Sequence, residues 1–422
     1  MSPVRLRNSL DWVTVSVGLT ASPNPAVAGA VVTLTATVVA LGFAVPTGTV
    51  IFKDSGIAIG VGTINGAGVA TFATSSLGTG THSLTATFAG NDTYNSAGSS
   101  AYSQVITAGS SLTPSGPVVA TFSGQIFENL DIVSTSGAQA VLINGFSNVQ
   151  VRNCRIRHLT GYGVNFSNAT GLSLYQLDIE HTGAPATGAN PNDGRNNING
   201  YGSSGVRIDR IRMRRGSSGV YLIQCPGAWS SFLDGQDFRG PFPRGQLIQY
   251  DRCHNGIIED FSSLSIPGQS WDEDNVNLYL CSNVTVRRGL LDGNNSPSGI
   301  GVIFEQFAEG ATGGLVEDVD VIRQGNGCFS AYTVGFNITF RRTRARENIC
   351  TDQGRGAAPS SGGLMWASGP GSSGNRILDS TYWLPCNPSN IVWDTSTLAE
   401  PEQLTNANYT QRSPIVLTMP WE

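Results

Sequence analysis

Short runs of alternating apolar and polar residues fill the first hundred positions of the chain. Clear examples are 32–38, 49–52 and 82–88, and Gly, Pro or Asn separates one run from the next. Alternation with a period of two, in runs spaced by about ten residues, is typical of strands that bury one face in an antiparallel sandwich. We therefore predict a β-sandwich over residues 13–108, preceded by an N-terminal arm, 1–12.

A longer repeat occupies the chain beyond Val118. An apolar residue is followed by small or apolar ones at offsets of two, five and seven, and this pattern recurs roughly every 25 residues. Its copies begin at Val149, Leu172, Val206, Ser231, Gly256, Val284, Gly314 and Ile338. Two-residue alternation broken once by a turn predicts a coil of three short strands. Leucine-rich repeats have a similar period, but they need a Leu lattice and an Asn ladder that this chain lacks.

The predicted fold is therefore all-β, an Ig-like sandwich followed by a right-handed parallel β-helix with three strands per coil. The β-helix is expected over residues 118–399, after a Gly-, Ser- and Pro-rich linker at 109–117. Residues 400–422 form a C-terminal segment that we expect to close the open end of the stack or to clasp neighbouring subunits. Stacked coils place equivalent positions about 4.8 Å apart, so that each offset forms a column along the stack.

Composition and charge narrow the classes of partner. The chain has 52 Gly, only 13% charged residues and a net charge of -5, which leaves no basic surface for nucleic acid. No apolar run follows Arg5 and Arg7, so we predict neither a signal peptide nor membrane insertion. Seven cysteines, an odd number, favour folding in a reducing cytoplasm over a closed disulfide framework.

Two segments of the sandwich carry a family resemblance. Residues 46–54 (PTGTVIFKD) and 80–94 (GTHSLTATFAGNDTY) resemble the bacterial Ig-like repeat modules of surface and phage proteins. Such modules usually act as spacers or anchors and lack catalytic residues. The resemblance therefore implies attachment, and we give His82 a packing or surface role.

The coil pattern resembles the pectate-lyase-like β-helices, a group that includes polysaccharide lyases, hydrolases, epimerases and phage tailspikes. This resemblance is architectural, and it transfers no catalytic residue to this chain. It implies a protein that carries or cleaves glycans, and β-helix spikes of this kind are generally homotrimers.

One outward column suggests catalytic chemistry. Offset three places Asp209, Asp234 and Glu259 on consecutive coils with no intervening cation. Like charges at this spacing raise the pKa of at least one carboxyl group, as a general acid requires. We therefore predict these three residues as catalytic candidates for glycan cleavage, although a solvated acidic column needs no function.

Other outward columns carry mixed charge. Offset six gives Arg155, Asp178, Arg212 and Asp237, and offset eight gives Arg157, Glu180, Arg214 and Arg239. Opposite charges on neighbouring strands stabilise a sheet modestly, so we interpret this face as structural. Cys253 and Cys281 should stack in a turn column of the core rather than bind metal.

Two loops supply candidate substrate-binding residues. Asp193 and Arg195 lie in a long insertion that could wall the acidic column, and Trp271, Asp272 and Asp274 belong to a second acidic cluster. An aromatic ring beside carboxylates could stack on a sugar, or the carboxylates could help to hold Ca²⁺. We predict sugar binding, with no metal site and no cofactor.

The leading hypothesis from the sequence is a phage virion surface protein, a tailspike, fibre or head-surface appendage. Its Ig-like domain would attach to other virion proteins, and its β-helix would bind cell-surface polysaccharide and could also cleave it. A secreted bacterial polysaccharide lyase, hydrolase or epimerase is the first alternative. A purely structural virion decoration is the second.

Overall fold

A computed structural model of the chain describes residues 13–28, 30–91, 93–107, 111–185, 194–240, 244–270, 272–294, 299–305, 312–325, 327–332, 336–346, 365–366, 372–383, 391–393 and 395–422. The chain forms two compact units, Met1–Ser111 with Pro420–Glu422 and Leu112–Met419. Each unit has its own hydrophobic core. Within the described residues, no helix is long and apolar enough to cross a membrane.

The first unit is a β-sandwich, as the alternation predicts. Its strands are β1 (Ser16–Ser22), β2 (Ala26–Val27), β3 (Val32–Val39), β4 (Thr49–Asp54), β5 (Ile57–Thr63), β6 (Val69–Thr74), β7 (Gly80–Phe88), β8 (Ala97–Gly98) and β9 (Tyr102–Thr107). One sheet has the order β1-β3-β6 and the other β2-β9-β7-β4-β5, with β8 beside β7. Val32, Leu34 and Ala36 of β3 are fully buried, because every second side chain faces the core.

The second unit is a right-handed parallel β-helix. An 11-stranded sheet, called here the short-strand sheet, consists of Val118–Val119, Val141–Asn144, Val164–Ser167, Ile198–Tyr201, Val220–Ile223, Ile248–Asp251, Val276–Tyr279, Ile300–Glu305, Gly327–Tyr332, Met365–Trp366 and Val392–Trp393. Its strands pair in parallel from one coil to the next.

A 15-stranded sheet, the long-strand sheet, forms the rest of each coil. It consists of Thr113–Ser115, Ile126–Glu128, Leu130–Ser134, Gln150–His158, Ser173–His181, Arg207–Arg214, Trp229–Gln236, Ile257–Leu264, Val284–Asp292, Thr312–Ile322, Phe336–Arg341, Arg344–Arg346, Arg376–Leu378, Ser380–Trp383 and Leu404–Asn406. One 3-10 helix, Thr395–Thr397, is present among the described residues.

A column of left-handed residues divides each coil of the long-strand sheet into two strands. Asn153 (φ 52°), Gln176 (φ 51°), Arg210 (φ 59°) and Phe232 (φ 48°) lie at equivalent positions of successive long strands. A single residue in the left-handed region turns the chain sharply without ending the ladder on either side. With the short strand, each coil therefore has three strands, as predicted.

The core of the β-helix consists of inward columns. Val151, Leu174, Ile208 and Ile258 lie on one such column and are buried. Ser230 occupies the same column between Ile208 and Ile258. The hydroxyl groups of Ser230 and Tyr250 form a hydrogen bond of 2.8 Å. This bond supplies the partner that a buried polar group needs.

The end of the predicted linker belongs to the β-helix. Thr113–Ser115, within the predicted 109–117, pairs in parallel with Leu130–Ser134. Residues 113–115 of the predicted linker are therefore a strand of the β-helix. Pro114 suggested a break in structure, but a strand at the edge of a sheet tolerates proline because one side of its backbone needs no partner.

The C-terminal residues lie along the long-strand sheet. Residues 409–417, called here the C-terminal strap, cross the outward side of several coils in an extended conformation. The backbone of the strap forms hydrogen bonds with side chains of the sheet. Three of its N–H groups donate: Arg412 N to Asp320 Oδ2 (2.6 Å), Ile415 N to Ser262 Oγ (3.0 Å) and Leu417 N to Asp234 Oδ2 (3.4 Å). Two of its carbonyl groups accept: Tyr409 O from Arg346 (3.3 Å) and Leu417 O from Arg212 (3.3 Å).

Candidate functional site

The predicted acidic column is not formed as the sequence suggested. Asp209 and Glu259 do share a column, but the residue between them is Ser231. Asp234 lies three residues further along its strand, between Arg212 and Ser262. The prediction failed because it placed the fourth coil three residues too late in the chain. Ala228, a small core residue, occupies the position that the prediction assigned to Ser231.

The carboxylates of this column are held by cations and hydrogen-bond donors. Glu259 accepts bonds from Arg287 (2.7 Å), Arg288 (2.8 Å) and the indole of Trp229 (2.9 Å). Burial raises the pKa of Glu259, but the bonds from Arg287, Trp229 and Arg288 outweigh it and hold the pKa below its usual value. Glu259 is therefore not the carboxyl group whose pKa was predicted to be raised.

Asp209 and Asp234 also have local partners. Ser231 donates to Asp209 at 2.8 Å. Asp234 forms an ion pair with Arg214 at 3.1 Å and accepts a bond from the C-terminal strap. Asp234 is thus an anchor for the strap, and its catalytic assignment stays a prediction.

The charged columns have the predicted composition in their first three coils. Arg155, Asp178 and Arg212 share a column, and Arg212 pairs with Asp178 at 2.9 Å. The next member is Asp234 rather than Asp237, because of the same three-residue error. For the same reason the column of Arg157, Glu180 and Arg214 continues with Gln236 and not with Arg239.

The stacked cysteines are confirmed. The backbone N of Cys253 donates to Cys281 Sγ at 3.3 Å, and the N of Cys225 donates to Cys253 Sγ at the same distance. All three cysteines are buried, and none of them forms a disulfide. Cys253 and Cys281 therefore lie in one turn column inside the core, as predicted, and Cys225 is a third member of that column.

The outward face of the short-strand sheet has a different character. Two columns of side chains point away from its core. The first is Asn165, Asn199, Tyr221, Gln249, Asn277, Ile303 and Ser330, and the second is Ser167, Tyr201, Ile223, Asp251, Tyr279, Glu305 and Tyr332. Aromatic rings, amides and carboxylates thus alternate along one face of the sheet, which we call the tyrosine face. Asn277, Ile303 and Ser330 of this face are buried.

Two carboxyl groups meet at one amide on the tyrosine face. Asn277 Nδ2 donates to Asp274 Oδ2 at 2.8 Å and to Glu305 Oε2 at 2.9 Å. Asp274 also accepts a bond from the backbone N of Ile300 at 2.9 Å. Burial raises the pKa of Glu305, against the opposing effect of the Asn277 bond. Burial raises the pKa of Asp274 well above its usual value, and the charges of Glu273 and Glu305 add to the increase.

Asp251 is the third carboxylate of this face. It forms an ion pair with Arg252 at 2.7 Å, and the Arg252 guanidinium lies 5.7 Å from the centre of the Tyr279 ring. Asp251 and Glu305 are two coils apart in one column, with Tyr279 between them. At a strand spacing of about 4.8 Å, their Cα atoms are about 9–10 Å apart.

Exposed tyrosines flank the carboxylates. Tyr201 is 48% exposed and lies two coils before Asp251, and Tyr332 is 40% exposed and lies one coil after Glu305. Exposed, rigid aromatic rings on a sheet are surfaces on which a sugar ring can stack. The carboxylates therefore lie between two aromatic surfaces.

The predicted substrate-binding residues fall in several places. Asp193 and Trp271 lie outside the described residues. Arg195 stands 6.0 Å from the centre of the Tyr162 ring, and Asp272 is buried. Only Asp274 belongs to the carboxyl group pair described above. Within the described part of the chain, no group of three or more His, Cys, Asp or Glu side chains could hold a metal ion.

Sequence reasoning missed Asp251, Asn277 and Glu305. Their strands are only four to six residues long, so the repeat pattern, which follows the long strands, did not align them. A signal was available in the spacing of Asp251, Tyr279 and Glu305, which are one coil apart and carry acidic and aromatic side chains.

Residues 19–107 match the family model of the bacterial Ig-like domain, group 3. No curated protein sequence matches the chain. Among solved structures, a tailspike protein of bacteriophage CBA120 has a TM-score of 0.41 at 8% identity. That alignment covers 74% of this chain and 53% of the tailspike, so this chain spans about half of the tailspike's length.

Two glycoside hydrolases are also similar in structure. The catalytic domain of a GH87 α-1,3-glucanase has a TM-score of 0.32 at 10% identity, over 93% of this chain and 90% of that domain. A family 28 exopolygalacturonase of Yersinia enterocolitica has a TM-score of 0.28 at 8% identity, over 93% of this chain and 98% of the enzyme.

Proposed function

We propose that the tyrosine face binds a polysaccharide along the axis of the stack and hydrolyses one of its glycosidic bonds. The observation that carries this proposal is the position of Glu305. One of its carboxyl oxygens is held by Asn277 at 2.9 Å, and the other has no hydrogen-bond partner among the described residues. A partly buried carboxyl group with one oxygen fixed and one available is suited to donate a proton to a bound ligand.

The distance between Glu305 and Asp251 favours an inverting reaction. Inverting glycosidases separate their two carboxyl groups by about 6.5–9.5 Å, which leaves room for a water molecule beside the sugar. The Cα atoms of Asp251 and Glu305 are about 9–10 Å apart, and we propose that their carboxyl groups lie within the range of inverting enzymes. Glu305 then protonates the leaving glycosidic oxygen. Asp251, held as a carboxylate by Arg252 at 2.7 Å, accepts a proton from the attacking water.

Tyr201 and Tyr332 are the proposed sugar-binding platforms on either side of these carboxylates. Arg244 lies 4.8 Å from the centre of the Tyr221 ring, where the arginine fixes the orientation of the tyrosine and offers donors to sugar hydroxyl groups. Arg195 over Tyr162 repeats this arrangement further along the stack. Asp193, Trp271 and Asp272 remain proposed contributors from the loops.

The first unit is proposed as the attachment module of a phage virion surface protein, in contact with other virion proteins. Between β3 and β4, Leu41 is 85% exposed and Phe43 is 63% exposed. Exposed apolar residues that lie together in this way are typical of protein-binding surfaces. Assembly as a homotrimer and a position on the virion surface are parts of the same proposal. The alternatives are secretion by a bacterium and a purely structural role.

Reducing-end release from a panel of bacterial capsular and O-antigen polysaccharides tests the hydrolase. We expect activity on at least one glycan, its loss by a factor of about 100 or more in Glu305→Gln, and a comparable loss in Asp251→Asn. Full activity in both variants would overturn the assignment of these residues. Asp209→Asn, Asp234→Asn and Glu259→Gln are the matched variants on the long-strand sheet. Absence of both binding and cleavage across the panel would favour the structural role.

A further inference from the structure

The pair formed by Asp274 and Glu305 has a geometry that couples their titration. Both carboxyl groups accept a hydrogen bond from the same nitrogen, Asn277 Nδ2, at 2.8 and 2.9 Å. Two carboxylates this close cannot both ionise without strong repulsion. The coupling therefore does not require direct contact between them.

The Asn277 amide has no other hydrogen bond that orients it. Its Oδ1 atom is buried and has no hydrogen-bond partner in the described part of the chain, and the side chain is only 4% exposed. Asp274 and Glu305 therefore decide the orientation of the amide between them.

The two carboxyl groups differ in access to solvent. Asp274 is 5% exposed, and both of its oxygens accept bonds, from Asn277 and from the backbone of Ile300. Glu305 presents one oxygen to the tyrosine face. Only Glu305 can touch a ligand, so Asp274 acts through its neighbour.

We propose that Asp274 and Glu305 hold one proton as a pair, and that Asp274 is a positioning residue that keeps Glu305 able to act as an acid at higher pH. Glu305 gives its proton to the glycosidic oxygen and becomes a carboxylate, which Asn277 stabilises. Asp274 is the carboxylate of the pair, and its negative charge keeps the single proton on Glu305 until the glycosidic oxygen accepts it. This catalytic use rests on the proposed hydrolysis, whereas the shared titration does not.

The surroundings of the pair add no cation at hydrogen-bond distance among the described residues. Tyr279 and Tyr332 lie on the coils to either side of Glu305, and Asp251 lies two coils away, paired with Arg252. Glu273 precedes Asp274 and adds negative charge. No cation of the described residues therefore offsets the repulsion within the pair, so its two protons leave in separate steps.

The test is a titration of Glu305 in the free, full-length protein. Glutamate labelled with ¹³C at the side-chain carboxyl reports ionisation by NMR, and Glu305→Gln identifies the signal. We expect two inflections separated by more than about one pH unit in the parent protein and a single inflection in Asp274→Asn. One inflection in the parent protein, unmoved by Asp274→Asn, would overturn the proposal.

A second variant covers the case in which Asp274→Asn does not fold. Asn277→Ala removes the donor that favours both carboxylates, so the first inflection should move to higher pH; an unchanged first inflection counts against the pair. Glu317→Gln, on the long-strand sheet, is the control and should leave the Glu305 signal unmoved.

If a cleavable glycan is found, Asp274→Asn should move the alkaline limb of the pH profile of cleavage down by about one unit or more.

Titration and turnover separate the two proposals. Two inflections without cleavage of any glycan would retain the pair and reject the hydrolase. Cleavage that depends on Glu305, together with a single inflection unmoved by Asp274→Asn, would retain the hydrolase and reject the pair.

Discussion

The imidazole rings of His158 and His181 are stacked in the core of the β-helix, with their centroids 4.7 Å apart and their planes 6° from parallel. Both residues lie in one inward column, at the ends of adjacent long strands. His158 Nδ1 donates to Gly161 O at 2.8 Å, and its Nε2 can accept from the Asn197 amide at 3.3 Å. These contacts suit a neutral ring, because a protonated ring has no acceptor for Asn197.

Because of this histidine pair, we predict that the folded protein loses stability as the pH falls. Burial, assisted by the proximity of His181, lowers the pKa of His158 to about 3. Since the unfolded chain binds this proton near pH 6.5, the free energy of unfolding falls as the pH drops below 6.5 towards 3. The His158 contribution has a slope of at most about 1.4 kcal/mol per pH unit.

Urea unfolding at pH 7, 6, 5 and 4 measures this slope. In His158→Gln we expect a lower free energy of unfolding at pH 7 and a shallower loss below pH 6.5. His254→Gln, at an exposed turn, serves as the control. Parallel curves for the parent protein and His158→Gln would show that His158 does not contribute to the acid sensitivity.

The C-terminal strap predicts that the tail stabilises the middle of the stack. Removing residues 408–422 deletes the backbone partners of Asp320, Ser262 and Asp234. At about 0.5–1.5 kcal/mol per hydrogen bond, the loss should amount to several kcal/mol. Amide hydrogen exchange should accelerate most in Ile257–Leu264, the strand that includes Ser262.

A point variant separates the strap's backbone from its side chains. Val416 is 79% exposed, so Val416→Ser should change the unfolding free energy by less than about 0.5 kcal/mol. If the truncated protein unfolds at the same denaturant concentration as the full chain, the strap does not stabilise the stack.

The sequence predicted the repeat better than the register. Inward positions such as Val151, Leu174 and Ile208 recur at fixed offsets because the core accepts only small and apolar side chains. At the fourth coil the core residue is Ser230, which is satisfied by Tyr250, and the pattern matched Leu233 instead. A three-residue displacement left Asp234 in the wrong column. Register depends on contacts between coils, and a local pattern does not contain them.

The left-handed column was also beyond sequence reasoning. Asn and Asp are the usual non-glycine residues in this conformation, and Asn153, Asp260 and Asp318 fit that preference. Arg210 and Phe232 do not. There the parallel ladders on both sides impose the conformation on residues that would not adopt it by themselves. The position is thus defined by the stack and not by the residue.

Glu259 provides a direct comparison between the two candidate sites. Glu259→Gln removes the charge that faces Arg287 and Arg288, both of which are more than a third exposed, so the loss of stability should be about 1 kcal/mol and should shrink at high salt. Glycan cleavage should be unchanged. A folded Glu259→Gln protein without activity would move the catalytic site to the long-strand sheet.

Tyr201 and Tyr332 test whether the tyrosine face binds glycan independently of catalysis. Each ring is exposed, so replacing it with alanine should leave the fold intact, as unfolding midpoints would confirm. If sugars stack on these rings, each variant should weaken the binding of an uncleaved oligosaccharide by about 1–2 kcal/mol, roughly 5- to 30-fold in Kd. Isothermal titration in the Glu305→Gln background measures the affinity without turnover.

Tyr175→Ala, on the long-strand sheet, is the matched control. Equal affinity in all three tyrosine variants would place glycan binding elsewhere on the protein, whereas weaker binding in Tyr201→Ala and Tyr332→Ala alone would define a site that extends over at least six coils.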